Sequence, residues 1–245
     1  MEGRFQGRSQ TPLSRLGRRQ AAALGARLAR PLDPPALPVP AGPPETIVHS
    51  PLRRAAETAA AIADAMASPG SFGRRPPLRP EPGFMELAQG EWEGLRHAEI
   101  VERYGEALAA WRRRPVEAWA PGGESIAQAV ARLRPALGRH LAALGADRPP
   151  GTHDRRQVPG AHDPPPGHPW SVIVGHDGIY KVLLLTLFDL PLERFWSFPF
   201  ALAGITVIEL RAGRPTLRAH NLMDHLARLA DNAASDEARG ASGAL

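Results

Sequence analysis

The stretch SVIVGHDGIYKVLLLTL, residues 171–187, decides the fold. Its first four residues are a β-branched run of the kind that forms a strand covered on both faces. Gly175 and Gly178 flank His176 and let the backbone turn sharply, and from Ile179 to Leu187 apolar residues continue as a buried helix. In open α/β sheets ligands bind just beyond the carboxyl ends of the strands, where helix N-termini favour anions. A histidine at that junction is placed to meet a phosphate or another anion. Taken alone, such a histidine is more often simply packed or solvated, so its company in the chain matters.

The 245 residues, 43% of them apolar, suffice for one large α/β domain, and length alone leaves two small ones open. There is no cysteine, so neither a disulfide framework nor a thiolate metal site is available, and a reducing compartment is the default. The N-terminal MEGRFQGRSQ lacks the apolar core of a signal peptide and no later run is long enough to span a membrane, so a cytoplasmic location is expected. The net charge of +5 and a pI near 10.7 raise nucleic acid as a partner. The arginines, however, are spread through helices among Glu and Asp, Lys181 is the only lysine, and aromatic interleaving is missing. No nucleic-acid partner is expected.

Upstream lies a second strand, turn and helix: Thr46 to His49, then Ser50-Pro51 opening a helix whose inner face is Ala55, Ala59, Ile62 and Met66, with Pro51 in its first turn. Two such units imply a parallel sheet. Before them, Gly3 to Pro12 reads as a loop, and Ser14 caps a helix carrying Gly17, Ala21, Leu24 and Leu28 that ends near Pro31. Residues 30–44 form a proline-rich linker, 68–83 read as irregular, and 84–94 as a loop with three acidic residues. His97, Val101, Tyr104, Leu108 and Trp111 make the stripe of a third helix, with His97 structural. A fourth helix starts at Gly122 to Ser125, carries Ile126, Val130, Leu133, Leu137, Leu141 and Leu144, and should kink at Pro135.

Residues 147–169 read as a Pro/Gly-rich insertion holding His153, His162 and His168. It is expected to be an exposed loop and not a metal site, because nothing between the histidines would fix their geometry. Gly204 to Leu210 and Thr216 to His220 read as strands joined at Gly213. One domain is expected over 1–230, followed by a disordered tail at 231–245.

Four stretches stand in order: GRFQG at 3–7, SPLRRAAET at 50–58, ELAQGEWEG at 86–94 and GHDG at 175–178. With PGGES at 121–125 and HNLMDHL at 220–226, the set resembles the histidine phosphatase superfamily, the phosphoglycerate mutase-like proteins, from Glu2 to about His225. The resemblance implies a three-layer α/β/α fold with a mostly parallel central sheet. It also implies hydrolysis of a phosphomonoester of a small metabolite through a phosphohistidine, with no metal or other cofactor. Only 27 residues separate Gly94 from Gly122, where mutases carry a longer insertion, so hydrolysis is favoured over mutase activity.

Residue by residue, the resemblance makes Arg54 a phosphate ligand, its guanidinium fork suiting two phosphate oxygens. Glu86 matches the proton donor to the leaving alkoxide, a role that calls for a pKa raised by burial, with Glu91 and Glu93 as rival carboxylates. His176 matches the second family histidine, which holds charge on the phosphoryl group. Gln6, Gly7 and Asp177 match further substrate-binding positions that offer backbone N–H groups.

In the family the attacking histidine sits in an Arg-His-Gly triplet that ends a central first strand, upstream of the EGRFQG loop. No Arg-His-Gly occurs in this chain, which begins at Met1-Glu2. The expectation is a coding sequence that starts further upstream; the alternative is a noncatalytic remnant that binds a phosphate ligand. Sugar phosphates, phosphoglycerate, phosphoserine and ribazole phosphate all fit as substrates, and oligomeric state is not readable.

Overall fold

The computed structural model describes residues 4–145, 168–227 and 229. Most of the insertion at 147–169, with His153 and His162, and the tail at 231–245 lie outside the described residues.

Helix α1 (Arg15–Ala29) begins where the Ser14 hydroxyl accepts the Gly17 N–H, and it buries Ala21, Leu24 and Leu28. Strand β1 (Thr46–His49) is buried along its whole length. Helix α2 (Arg53–Ala67) buries Ala55, Ala59, Ile62 and Met66, the expected face. Pro51 lies before this helix and not in its first turn: the cap residue is Leu52, whose N–H is taken by the Ser50 hydroxyl.

The region expected to be irregular at 68–83 contains a strand, β2 (Leu78–Pro80), parallel to β1. Three residues carrying Arg and Pro are too few to show alternation, and proline is tolerated there because β2 is an edge strand. In helix α3 (His97–Arg113) the buried residues are Ile100 and Leu108, while Val101 is 49% exposed. Tyr104 leaves helical geometry at φ −134°, so one stripe does not hold phase across both halves. His97 is exposed and pairs with Arg112, a structural role. Helix α4 (Ile126–Ala143) starts in a capping box between Ser125 and Gln128 and runs on through Pro135.

Strand β3 (Ser171–Val174) and helix α5 (Asp177–Leu187) follow as the opening stretch predicts. The chain then forms an antiparallel hairpin of β4 (Ile205–Arg211) and β5 (Arg214–Leu222), turning at Ala212 and Gly213. The parallel sheet has the order β2-β1-β3. On β1, Ile47 packs into the core beneath α1 and α2, whereas Val48 packs into the core formed with α4 and α5. Successive side chains pointing to opposite faces thus make the three layers.

The sheet is not continuous. Among the described residues β3 and β4 share no ladder, and both line one cavity of about 1790 Å³, through Ser171 to Val174 and Ile205 to Arg211. Gln6, Gly7, Arg54, Glu86, His176 and Asp177 line the same cavity.

Candidate active site

Parallel register builds the centre of the site. His49 at the end of β1 lies beside Val174 at the end of β3, so the turns leaving the two strands emerge together. Ser50 and His176 stand on those turns, with Ser50 Oγ 2.8 Å from His176 Nε2. Both residues are buried. Burial, with the Arg54 and Arg132 charges adding to it, pushes the His176 pKa down to about 3. The imidazole is therefore neutral near pH 7, fixed by the hydroxyl at the N-cap of α5.

Glu86 approaches from the loop after Phe84, a fully buried ring. Its Oε1 accepts the Leu87 N–H at 2.9 Å and the Ile179 N–H at 3.0 Å, and its Oε2 accepts the Gly178 N–H at 3.1 Å. The carboxyl thus caps α5 in place of the His176 side chain. Burial raises its pKa, partly offset by those three N–H donors and reinforced by the charge of Asp177. A side chain at position 178 is excluded, since a Cβ there would lie 2.6 Å from Glu86 Oε1.

Arg54, in the first turn of α2, donates to the Gly7 carbonyl at 2.7 Å and the Ser9 carbonyl at 2.9 Å. A guanidinium has five N–H groups, and these bonds occupy two of them. Burial lowers its pKa, while Glu86 and Glu93 favour the charged form. Gly7 is held at φ +47°, and a Cβ there would lie 2.1 Å from Glu93 Oε1. That carboxylate oxygen accepts the N–H groups of Arg8 and Gln89, at 2.9 and 3.0 Å, bracing the first loop (residues 5–12) against the loop at 84–94. Glu91 instead accepts the Tyr104 hydroxyl at 2.8 Å. Of the three carboxylates in the loop, Glu86 is the one that joins His176 at α5.

Gln6 is exposed on the cavity rim. The Asp177 carboxylate is tied to the Lys181 ammonium at 2.6 and 2.5 Å, one helical turn on, and that ammonium sits 5.6 and 5.2 Å from the Phe195 and Trp196 rings. With its side chain so engaged, Asp177 has only its main chain to offer to the cavity. Sequence reasoning missed Ser50, Arg8, Glu124, Arg132 and Tyr180. Ser50 and Glu124 lie inside motifs it quoted, whereas Arg132 is one of several arginines along a helix and carried no signal of its own.

The profile of the histidine phosphatase superfamily (branch 1) matches residues 1–148 and 154–223. A glucosyl-3-phosphoglycerate phosphatase of Mycolicibacterium vanbaalenii is 31% identical over 199 residues, covering 78% of this chain and 70% of the relative. Phosphoserine phosphatase 1 of Hydrogenobacter thermophilus is 27% identical over 228 residues, 91% of this chain and 87% of the relative. Among solved structures, a mycobacterial glucosyl-3-phosphoglycerate phosphatase in complex with VO3 superposes with a TM-score of 0.66 at 29% identity, covering 90% of this chain and 92% of that one. Motif order, fold and profile agree, and the chain belongs to the histidine phosphatase superfamily, branch 1.

Proposed function

We propose that this protein hydrolyses a phosphomonoester of a small metabolite through a phosphohistidine intermediate. The observation that carries this is the inward-turned Glu86 carboxyl, buried at the α5 N-terminus next to His176 and on the same cavity as Arg54, where burial lets it hold a proton to higher pH than an ordinary glutamate. Arg54 and the first main-chain N–H groups of α5 receive the phosphoryl oxygens, and neutral His176 donates a hydrogen bond to them. A histidine nitrogen forms a bond to phosphorus as the ester P–O bond breaks, and Glu86 gives its proton to the departing alkoxide. Water then attacks phosphorus and returns a proton to Glu86, the N–P bond breaks, and inorganic phosphate leaves.

The attacking histidine comes, in this proposal, from an extended segment seated between β3 and β4. Two strands facing one cavity, without a ladder between them among the described residues, support such a guest. The relatives named as phosphatases support hydrolysis over mutase chemistry, and their named substrates are both small phosphorylated metabolites. A cytoplasmic location is supported by the cysteine-free composition. Among the described residues no helix is long and apolar enough to cross a membrane.

The test is p-nitrophenyl phosphate hydrolysis by this chain and by the protein extended with the in-frame codons preceding Met1. Turnover that Arg54→Ala and His176→Ala each abolish is expected. Phosphate binding without turnover in both forms would overturn hydrolysis in favour of a binding-only protein.

A further inference from the structure

We propose that Arg132, clamped by Glu124 and assisted by Arg8, is a positioning residue for the Glu86 carboxyl; the functional meaning rests on Glu86 being the proton donor. Arg132 lies on α4, and its Nε and Nη2 reach both Glu124 carboxylate oxygens at 2.7 and 2.8 Å. The same guanidinium donates to the Gly83 carbonyl at 2.8 Å and the Glu86 carbonyl at 3.2 Å. Arg8 completes the ring, donating to the Glu86 carbonyl at 3.1 Å and to Glu124 at 2.8 Å. The Glu124 main chain adds an N–H to the Ala88 carbonyl at 2.9 Å.

Two guanidinium groups thus meet on one main-chain oxygen, that of Glu86. The Glu124 and Arg132 side chains are only 10% and 19% exposed, so these bonds are little diluted by water. Fixing the carbonyl fixes the peptide from which the carboxyl reaches α5. The network spans α4, the first loop and the Glu86 loop, so the donor's position depends on residues outside the cavity wall.

A charge effect and a positioning effect have opposite signs here. A cation near a carboxylate lowers its pKa, so losing only the charge of Arg132 would raise that of Glu86. Losing the clamp lets Glu86 leave its enclosed seat, and its pKa falls toward the ordinary value. The experiment is a carboxyl-carbon NMR titration of the chain labelled in its glutamates, with Glu86 assigned by the resonance lost in Glu86→Gln. Arg132→Lys keeps the charge and removes the fork; Glu124→Gln keeps the shape and loosens the clamp.

Both variants are expected to lower the Glu86 midpoint toward that of an ordinary glutamate and to weaken the pH response of the Gly178 and Ile179 amides. Arg139→Ala, which removes a pair between an exposed arginine of the same helix and Glu81, should leave the midpoint unchanged. An unchanged midpoint in folded Arg132→Lys, or a rise in folded Arg132→Ala, overturns the proposal. No turnover is needed, so failure of the phosphatase assay and failure of this titration are separate results.

Discussion

Ser50 and His176, 126 positions apart in the chain, meet at 2.8 Å because β1 and β3 run parallel and end level. The contact seats a buried imidazole that resists protonation, with a pKa of about 3 against an ordinary 6.5. Between those values the unfolded chain binds more protons at this site than the folded one, so stability rises with pH. The contribution is fully present above pH 6.5 and is lost as the pH falls toward 3. His176→Gln should flatten the pH dependence of unfolding in that window by up to about 1.4 kcal/mol per pH unit. Urea melts at several pH values measure it, and an unchanged slope would count against the buried neutral state.

Gly7→Ala should be more damaging than Gly94→Ala. Both glycines have positive φ, +47° and +82°, so both variants carry the backbone penalty of roughly 1–2 kcal/mol. At Gly94 a Cβ meets open space, but at Gly7 it collides with the Glu93 carboxylate that braces the loop. Urea denaturation of the two variants compares them, and equal losses would show that the close approach at Gly7 is unimportant.

How far the sequence carried the fold can be judged element by element. β3, α5, α1 and α2 were legible because each has several residues of unbroken period and a cap or turn residue at its start. β2 was not, since three residues with Arg and Pro show no period, and its strand character comes from pairing with β1. The α3 stripe holds for Tyr104, Leu108 and Trp111 but not for His97 and Val101, because the helix breaks at Tyr104, beside Gly105, and an isolated glycine in a helical pattern does not by itself announce a break. At the site, His176 stood out at the strand-to-helix junction, whereas Glu86 and Arg54 were visible only as parts of ordered motifs. Their convergence on one cavity follows from register and loop packing between distant segments, and the braces supplied by Glu93 and Arg132 have no local signature.

Glu86→Gln should discriminate between leaving groups. Where the protein turns over, the variant should slow an alkyl phosphate by about 10²–10⁴-fold, the usual value of a positioned general acid. It should slow p-nitrophenyl phosphate much less, because nitrophenolate leaves without needing a proton. The raised pKa of Glu86 keeps the acid form present to higher pH than an ordinary glutamate. The alkyl phosphatase rate should therefore fall as the pH rises through that value, and Glu86→Gln should remove this limb. Equal slowing of both substrates would remove Glu86 from the role of proton donor.

Tyr180 occupies a place that a neighbouring strand would take. Val174 turns its carbonyl toward β1, where it accepts the Ser50 N–H, so the groups on either side of it point to the cavity edge of β3. The Tyr180 hydroxyl serves both of them: it donates to the Ile173 carbonyl at 2.8 Å and accepts the Gly175 N–H at 2.5 Å. Removal from water raises the pKa of the phenol, which keeps it a donor. Tyr180→Phe retains the ring beside Phe200 but leaves two backbone groups unpaired, a loss of about 1 kcal/mol. Urea melts read the stability, and hydrogen exchange of the Gly175 amide should quicken in parallel. If an extended segment fills the cleft in a longer form of the protein, its backbone takes over both bonds and the same substitution should cost less there than in this chain. An equal cost in both forms would mean that the guest strand does not pair along this edge of β3.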